Sequence, residues 1–156
     1  MHWILDLIRN PFFLTSMVAW FTSQTIKVFT HAIAYRKWDL KRFFGDGGMP
    51  SSHTATVSSM AFFIGFAAGF DSIEFAIALL LCMIVCRDAV GVRMETGKQT
   101  LILNELKKFI ESKEIADIKL KKFVGHTPLQ VVFGAILGFC VAVVMFFLVF
   151  KGAVVI

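Results

Sequence analysis

The residues able to do chemistry gather in two short stretches. In the first, Gly47-Gly48-Met49-Pro50-Ser51-Ser52-His53-Thr54, a glycine turn leads into a helix start that carries hydroxyls and an imidazole. The first amides of such a helix have no intrahelical partners and lie at the positive end of its dipole, while the glycines let backbone approach a ligand closely. Gly48, Ser51 and Ser52 therefore form a cradle suited to phosphate, with His53 on the same turn. In the second stretch, Gly125-His126-Thr127-Pro128-Leu129-Gln130, an imidazole again stands immediately before a helix. Two histidines at two helix N-termini on one face can converge on one phosphate, one as nucleophile and the other as general acid. A plainer account competes for the first stretch, in which Ser51 only caps a helix and His53 rests at an interface.

The elements that must position these groups are helical. Residues 3 to 9 make a short amphipathic piece, Arg9-Asn10-Pro11 stops and restarts the helix, and residues 12 to 34 are apolar enough to span a bilayer. Residues 35 to 50 are charged, then glycine-rich, and read as a loop. A second helix is expected from Ser51 to Gly69. Asp71-Ser72-Ile73-Glu74 has the form of a capping box with Asp71 as the cap, opening a third helix that runs to about Val92. Residues 93 to 124 place Leu101, Ile102, Leu106, Phe109 and Ile110 at helical spacing among charges, as in a helix lying along the interface. Thr127 as cap, Pro128 at the first helical position and Gln130 closing a box then start a fourth span over residues 128 to 150.

Composition sets the solvent. Of the 156 residues 57% are hydrophobic and the mean hydropathy is +0.74, too apolar for a domain bathed in water. The expected fold is all-α: a polytopic membrane helical bundle of about four transmembrane helices plus short interfacial helices, with residues 1–156 as a single domain. The start of the chain lacks a basic leader and a small-residue cleavage site, so the first helix is expected to remain in place. Cys82, Cys86 and Cys140 lie in apolar runs without ligand spacing and read as packing residues; Asp46 and Glu95 have no paired spacing either, and no metal or other cofactor is expected.

The net charge of +5 comes from cations between the apolar runs, where anionic lipid or a phosphate substrate is a nearer partner than nucleic acid. In a four-span topology residues 35–50 and 93–127 share one face and carry twelve of the sixteen Lys/Arg, so that face is expected to be cytoplasmic, in a bacterial-type plasma membrane. Gly134 and Gly138 are spaced for helix packing within the chain or between copies, so a homo-oligomer is compatible with the sequence.

Gly-Gly-Met-Pro-Ser-Ser-His at 47–53 and Gly-His-Thr-Pro-Leu-Gln-Val-Val-Phe-Gly at 125–134, with Asp-Ala-Val-Gly-Val-Arg at 88–93 and Leu103-Asn104, resemble the divergent branch of the type 2 phosphatidic acid phosphatase family, which is related to vanadium-dependent haloperoxidases. The resemblance covers nearly the whole chain. It implies a metal-independent phosphomonoesterase in which His126 forms a phosphohistidine and His53 protonates the leaving alcohol. Ser52 stands where the wider family has glycine.

Three departures from the wider pattern matter. The aspartate four residues after the nucleophile is replaced by Gln130, which can hold a tautomer but cannot balance imidazolium charge; Gln130 serves a capping box equally well, and Asp88 is the alternative carboxylate. The arginine six residues before the nucleophile is replaced by Leu120, leaving Arg93, and after it Arg87, to clamp phosphate oxygens, although both also fit positive-inside anchoring. The lysine-and-Arg-Pro motif is absent, and Lys27 stands in for its lysine; a charge within a span costs about 3 kcal/mol on insertion scales, so Lys27 is expected to face a polar cavity.

The resulting expectation is a membrane lipid-phosphate phosphatase acting on a phosphorylated membrane lipid such as phosphatidylglycerol phosphate or phosphatidate. The rivals are a catalytically inactive membrane protein that binds phosphorylated head groups or a partner, and a vanadate-holding site of the haloperoxidase kind.

Overall fold

A computed structural model of the chain describes residues 2–39, 43–45, 47–109 and 127–151. These form six helices and no strand: α1 (His2–Arg9), α2 (Pro11–Tyr35), α3 (Ser52–Ala68), α4 (Ile73–Val90), α5 (Val92–Phe109) and α6 (Pro128–Lys151). The all-helical expectation holds for the described residues.

Local chemistry sets most of the helix ends. The Asn10 side chain accepts from Phe12 N and Phe13 N at 2.9 and 3.2 Å, with Pro11 in the first turn where its missing N–H costs nothing. Ser51 caps α3 through Thr54 N. At α4 the expected Asp71 cap is corrected to Ser72, whose hydroxyl accepts from Phe75 N at 3.2 Å. The Asp71 carboxylate lies back over Gly69, where a Cβ would come within 2.6 Å of Oδ1, and leaves the first amides of α4 to Ser72. The Phe70 ring in the same turn packs into the notch left by Gly65 and meets Phe66 and Phe75 edge-on.

The interior is polar and the outside apolar. Thr15, Ser16, Ser23, Gln24, Lys27, Ser51, Ser52, Thr54, Ser58 and Ser59 are buried, whereas α4 buries only Ala78 and Ala89 and exposes Ile77, Leu80, Met83 and Ile84. Most of the inner hydroxyls bond back to carbonyls of their own helix, as with Thr15 to Pro11, Ser58 to Thr54 and Thr56 to Ser52. They satisfy themselves without water, which suits small polar residues in a bundle surrounded by lipid. Phe63 is fully buried and meets Phe12 edge-on, while Phe147 faces outward. Cys82 packs beside the Ala61–Ile64–Ala78 cluster.

Two stretches are long and apolar enough to cross a membrane, Ile73–Leu106 and Pro128–Val149. Of the about four spans expected, these two pass that test among the described residues. α2 has the length, at 25 residues, but carries a polar stripe, and α3 at 17 residues extends roughly 26 Å at 1.5 Å per residue.

Helix α3 lies at the centre, against α2, α4 and α6, with its largest contact on α6. Gly134 and Gly138 make that contact. A Cβ on Gly134 would fall 2.6 Å from Ser51 O, and one on Gly138 would strike Ser58 Oγ and lie 2.6 Å from Ala55 O. The glycine pair therefore serves packing within the chain. The link after α2 turns back along that helix: Trp38 meets Phe29, Phe43 meets Trp20 and Phe21, and Gly48 then lies beside Lys27. As a result α3 starts opposite the middle of α2 instead of its end.

Replacing Gly138 by leucine is expected to force α3 and α6 apart and cost about 1–3 kcal/mol. The readout is the thermal unfolding midpoint in detergent; an unchanged midpoint would mean the two helices do not meet at this register.

Candidate functional site

The first stretch of chemical residues is built as a cradle. Gly47 and Gly48 adopt φ of +87° and +88°, a conformation open to glycine, and carry the chain to Met49 and a cis Pro50 at the mouth of α3. Ser51 is fully buried; its hydroxyl accepts from Thr54 N at 3.4 Å and from Thr54 Oγ1 at 3.1 Å. Ser52 is 3% exposed and accepts a 3.0 Å hydrogen bond from Lys27 Nζ, itself 4% exposed. The expectation that Lys27 faces a polar site holds. A buried ammonium thus joins the positive end of α3 at the same hydroxyl. His53 is exposed on that first turn.

Helix α6 delivers the second stretch to the same place. Thr127 N donates to Gln130 Oε1 at 3.1 Å and Gln130 N donates to Thr127 Oγ1 at 3.4 Å, which closes the reciprocal capping box. Ser51 N then donates to Gln130 O at 3.0 Å. The starts of α3 and α6 are joined by this backbone bond, which brings Thr127 and Gln130 to the turn that carries His53. His126 itself lies outside the described residues, as do Asp46 and residues 110–125. The Arg93 side chain is likewise not described. Asp88 is half-buried and Arg87 exposed near the end of α4. The structure thus brings together Lys27, Gly48, Ser51, Ser52, His53 and Gln130. Glu95 pairs with Lys98 at 2.6 Å on the surface of α5, and among the described residues no three His, Cys, Asp or Glu side chains meet as a metal site.

One residue of the region carries no motif signal. His31 lies four residues after Lys27, on the same face of α2, and with Lys27, Thr30, Tyr35, Gly47 and Gly48 it lines a cavity of about 260 Å³. The i, i+4 relation to a lysine within an apolar run is the clue that could have found it. A second, apolar cavity of about 400 Å³ between α2 and α6 shares Thr30 and includes Ile26, Met49, Phe133 and Leu137.

A helical bundle with apolar flanks around a partly polar interior defines the class, a helical membrane protein. The chain belongs to the Divergent PAP2 family, whose model matches residues 8–141. It is similar, at 33% identity over 153 residues covering 90% of this chain and 97% of the relative, to the uncharacterized membrane protein YuiD of Bacillus subtilis (strain 168). No solved structure matches the chain. The two apolar helices and the membrane relative together support a membrane location.

The box at α6 accepts glutamate as readily as glutamine. Gln130→Glu is therefore expected to leave the unfolding midpoint near that of the intact protein, and Gln130→Leu to cost about 1 kcal/mol. Equal losses in both variants would show that the side chain serves something other than the cap.

Proposed function

We propose that the chain is a membrane lipid-phosphate phosphatase. The observation that carries this reading is the Lys27–Ser52 hydrogen bond, which holds a buried ammonium against the first turn of α3 beside two left-handed glycines. A phosphate placed at this turn would meet the ammonium and the first-turn amides of α3 together. In this reading His126 attacks phosphorus in line and the leaving alcohol takes a proton from His53. The α3 amides, Lys27 and Arg93 stabilise the developing charge, with Arg87 as a second cation and Asp88 as the orienting carboxylate. Water then hydrolyses the phosphohistidine. The apolar cavity that meets the polar one at Thr30 suits a hydrocarbon chain, which supports a lipid over a soluble ester.

The proposal extends to topology. Four spans, with α2 and α3 crossing beside the two longer stretches, put the cation-rich segments and the site on the cytoplasmic face, where phosphatidylglycerol phosphate or phosphatidate is made accessible. A second reading, a protein that binds phosphorylated head groups without turnover, is favoured by one observation: the Gln130 side chain bonds Thr127 in the helix cap, at the position where the wider family carries its orienting aspartate.

Phosphate release from a panel of lipid phosphates in detergent separates the two readings. Release is expected to resist chelators and to fall by about 100-fold or more in His53→Ala and His126→Ala. Absence of release from every lipid, with all proteins folded, would favour the binding reading. For topology, a cysteine placed at Lys37 in a chain lacking its native cysteines is expected to react with an impermeant maleimide only from the cytoplasmic side; labelling from outside would reverse the orientation.

A further inference from the structure

Two buried side-chain polar atoms have no hydrogen-bond partner among the described residues, Gln24 Oε1 and His31 Nδ1. Both lie on α2, three residues before Lys27 and four after it, so one helix face carries Gln24, Lys27 and His31 in succession. Buried polar atoms are satisfied in the great majority of cases, and an orphan calls for an explanation. For His31 the surroundings supply one. Its ring stacks on Tyr35, with centroids 4.6 Å apart and planes inclined by 30°, and it lines the polar cavity with Lys27, Gly47 and Gly48. The stack holds the ring in place, and a half-turn about χ2 exchanges its Nδ1 edge for its Cδ2 edge without disturbing that stack. Along α2 the imidazole sits one turn from the lysine, about 6 Å of axial rise, a span that one phosphate group can bridge.

We infer that His31 is a second side-chain ligand of the anion held at Lys27: its Nδ1–H donates to a phosphate oxygen while the ammonium binds another. This rests on the phosphate-site reading above and adds a residue that the motifs do not contain. A lysine alone is a point charge and leaves the phosphate free to rotate about it. A second donor one helical turn away fixes which oxygens face α2 and which remain open toward α3 and His53. His31 is thus a positioning residue for the bound phosphate, and it ties the site to the cavity side of α2.

The test titrates inorganic phosphate into the full chain in detergent, with ¹⁵N-labelled histidine side chains followed by NMR and affinity measured in parallel. The His31 ring signals, assigned by their loss in His31→Phe, are expected to shift with phosphate. His31→Phe keeps the stack on Tyr35 but removes both nitrogens, and its affinity is expected to fall about 10-fold. His31→Asn, which keeps a donor near the Nδ1 position, is expected to recover most of that loss. If Lys27→Met weakens binding and the His53 signals move while the His31 signals stay still and His31→Phe binds normally, the phosphate site stands and the role of His31 is overturned. If phosphate moves neither histidine and Lys27→Met binds as the intact protein does, the phosphate-site reading itself falls, and the proposal with it.

Discussion

The arrangement depends on how closely α3 and α6 approach. Gly134 and Gly138 present bare backbone to Ser51, Ala55 and Ser58, and no residue with a Cβ fits at either place. In lipid there is no hydrophobic force to drive two apolar helices together, so contact at this range relies on dispersion and on small residues facing each other. The reward is positional. With the helices in register, Ser51 N reaches Gln130 O, and two helix starts that belong to distant parts of the sequence become a single local structure. Every other feature of the site is arranged around that junction.

Helix α2 supplies what the junction lacks, a cation. Its inner face carries hydroxyls, the Gln24 amide, Lys27 and His31, and most of the hydroxyls turn back on their own carbonyls. Lys27 instead reaches across to Ser52 in the first turn of α3. The lysine nitrogen thus lies at the end of α3 where the helix dipole is positive.

Much of this was legible in the sequence because helix starts are local events. Asn10-Pro11, Ser51 and Thr127-Pro128-Leu129-Gln130 each contain the donors and acceptors that make the cap, and each forms as read. The sequence pointed to Asp71 as the cap of α4 and the structure uses Ser72, because the Asp71 carboxylate lies over Gly69, a placement that the capping pattern does not reveal. The role of Gly134 and Gly138 was open between one chain and two for the same reason. His31 has no motif around it; only its place beside Lys27 on a helix face, and then the cavity, bring it forward. The segment holding His126 lies outside the described residues.

The backward turn of the link after α2 has a consequence for what can enter. Lys27 lies eight residues before the end of α2, roughly 12 Å along its axis. The cavity of about 260 Å³ beside it is therefore lined by the backbone of the link at Gly47 and Gly48 as well as by α2. On the reading proposed above, a phosphomonoester would approach Lys27 by its free end, whereas a phosphodiester has substituents on both sides and no end to lead with.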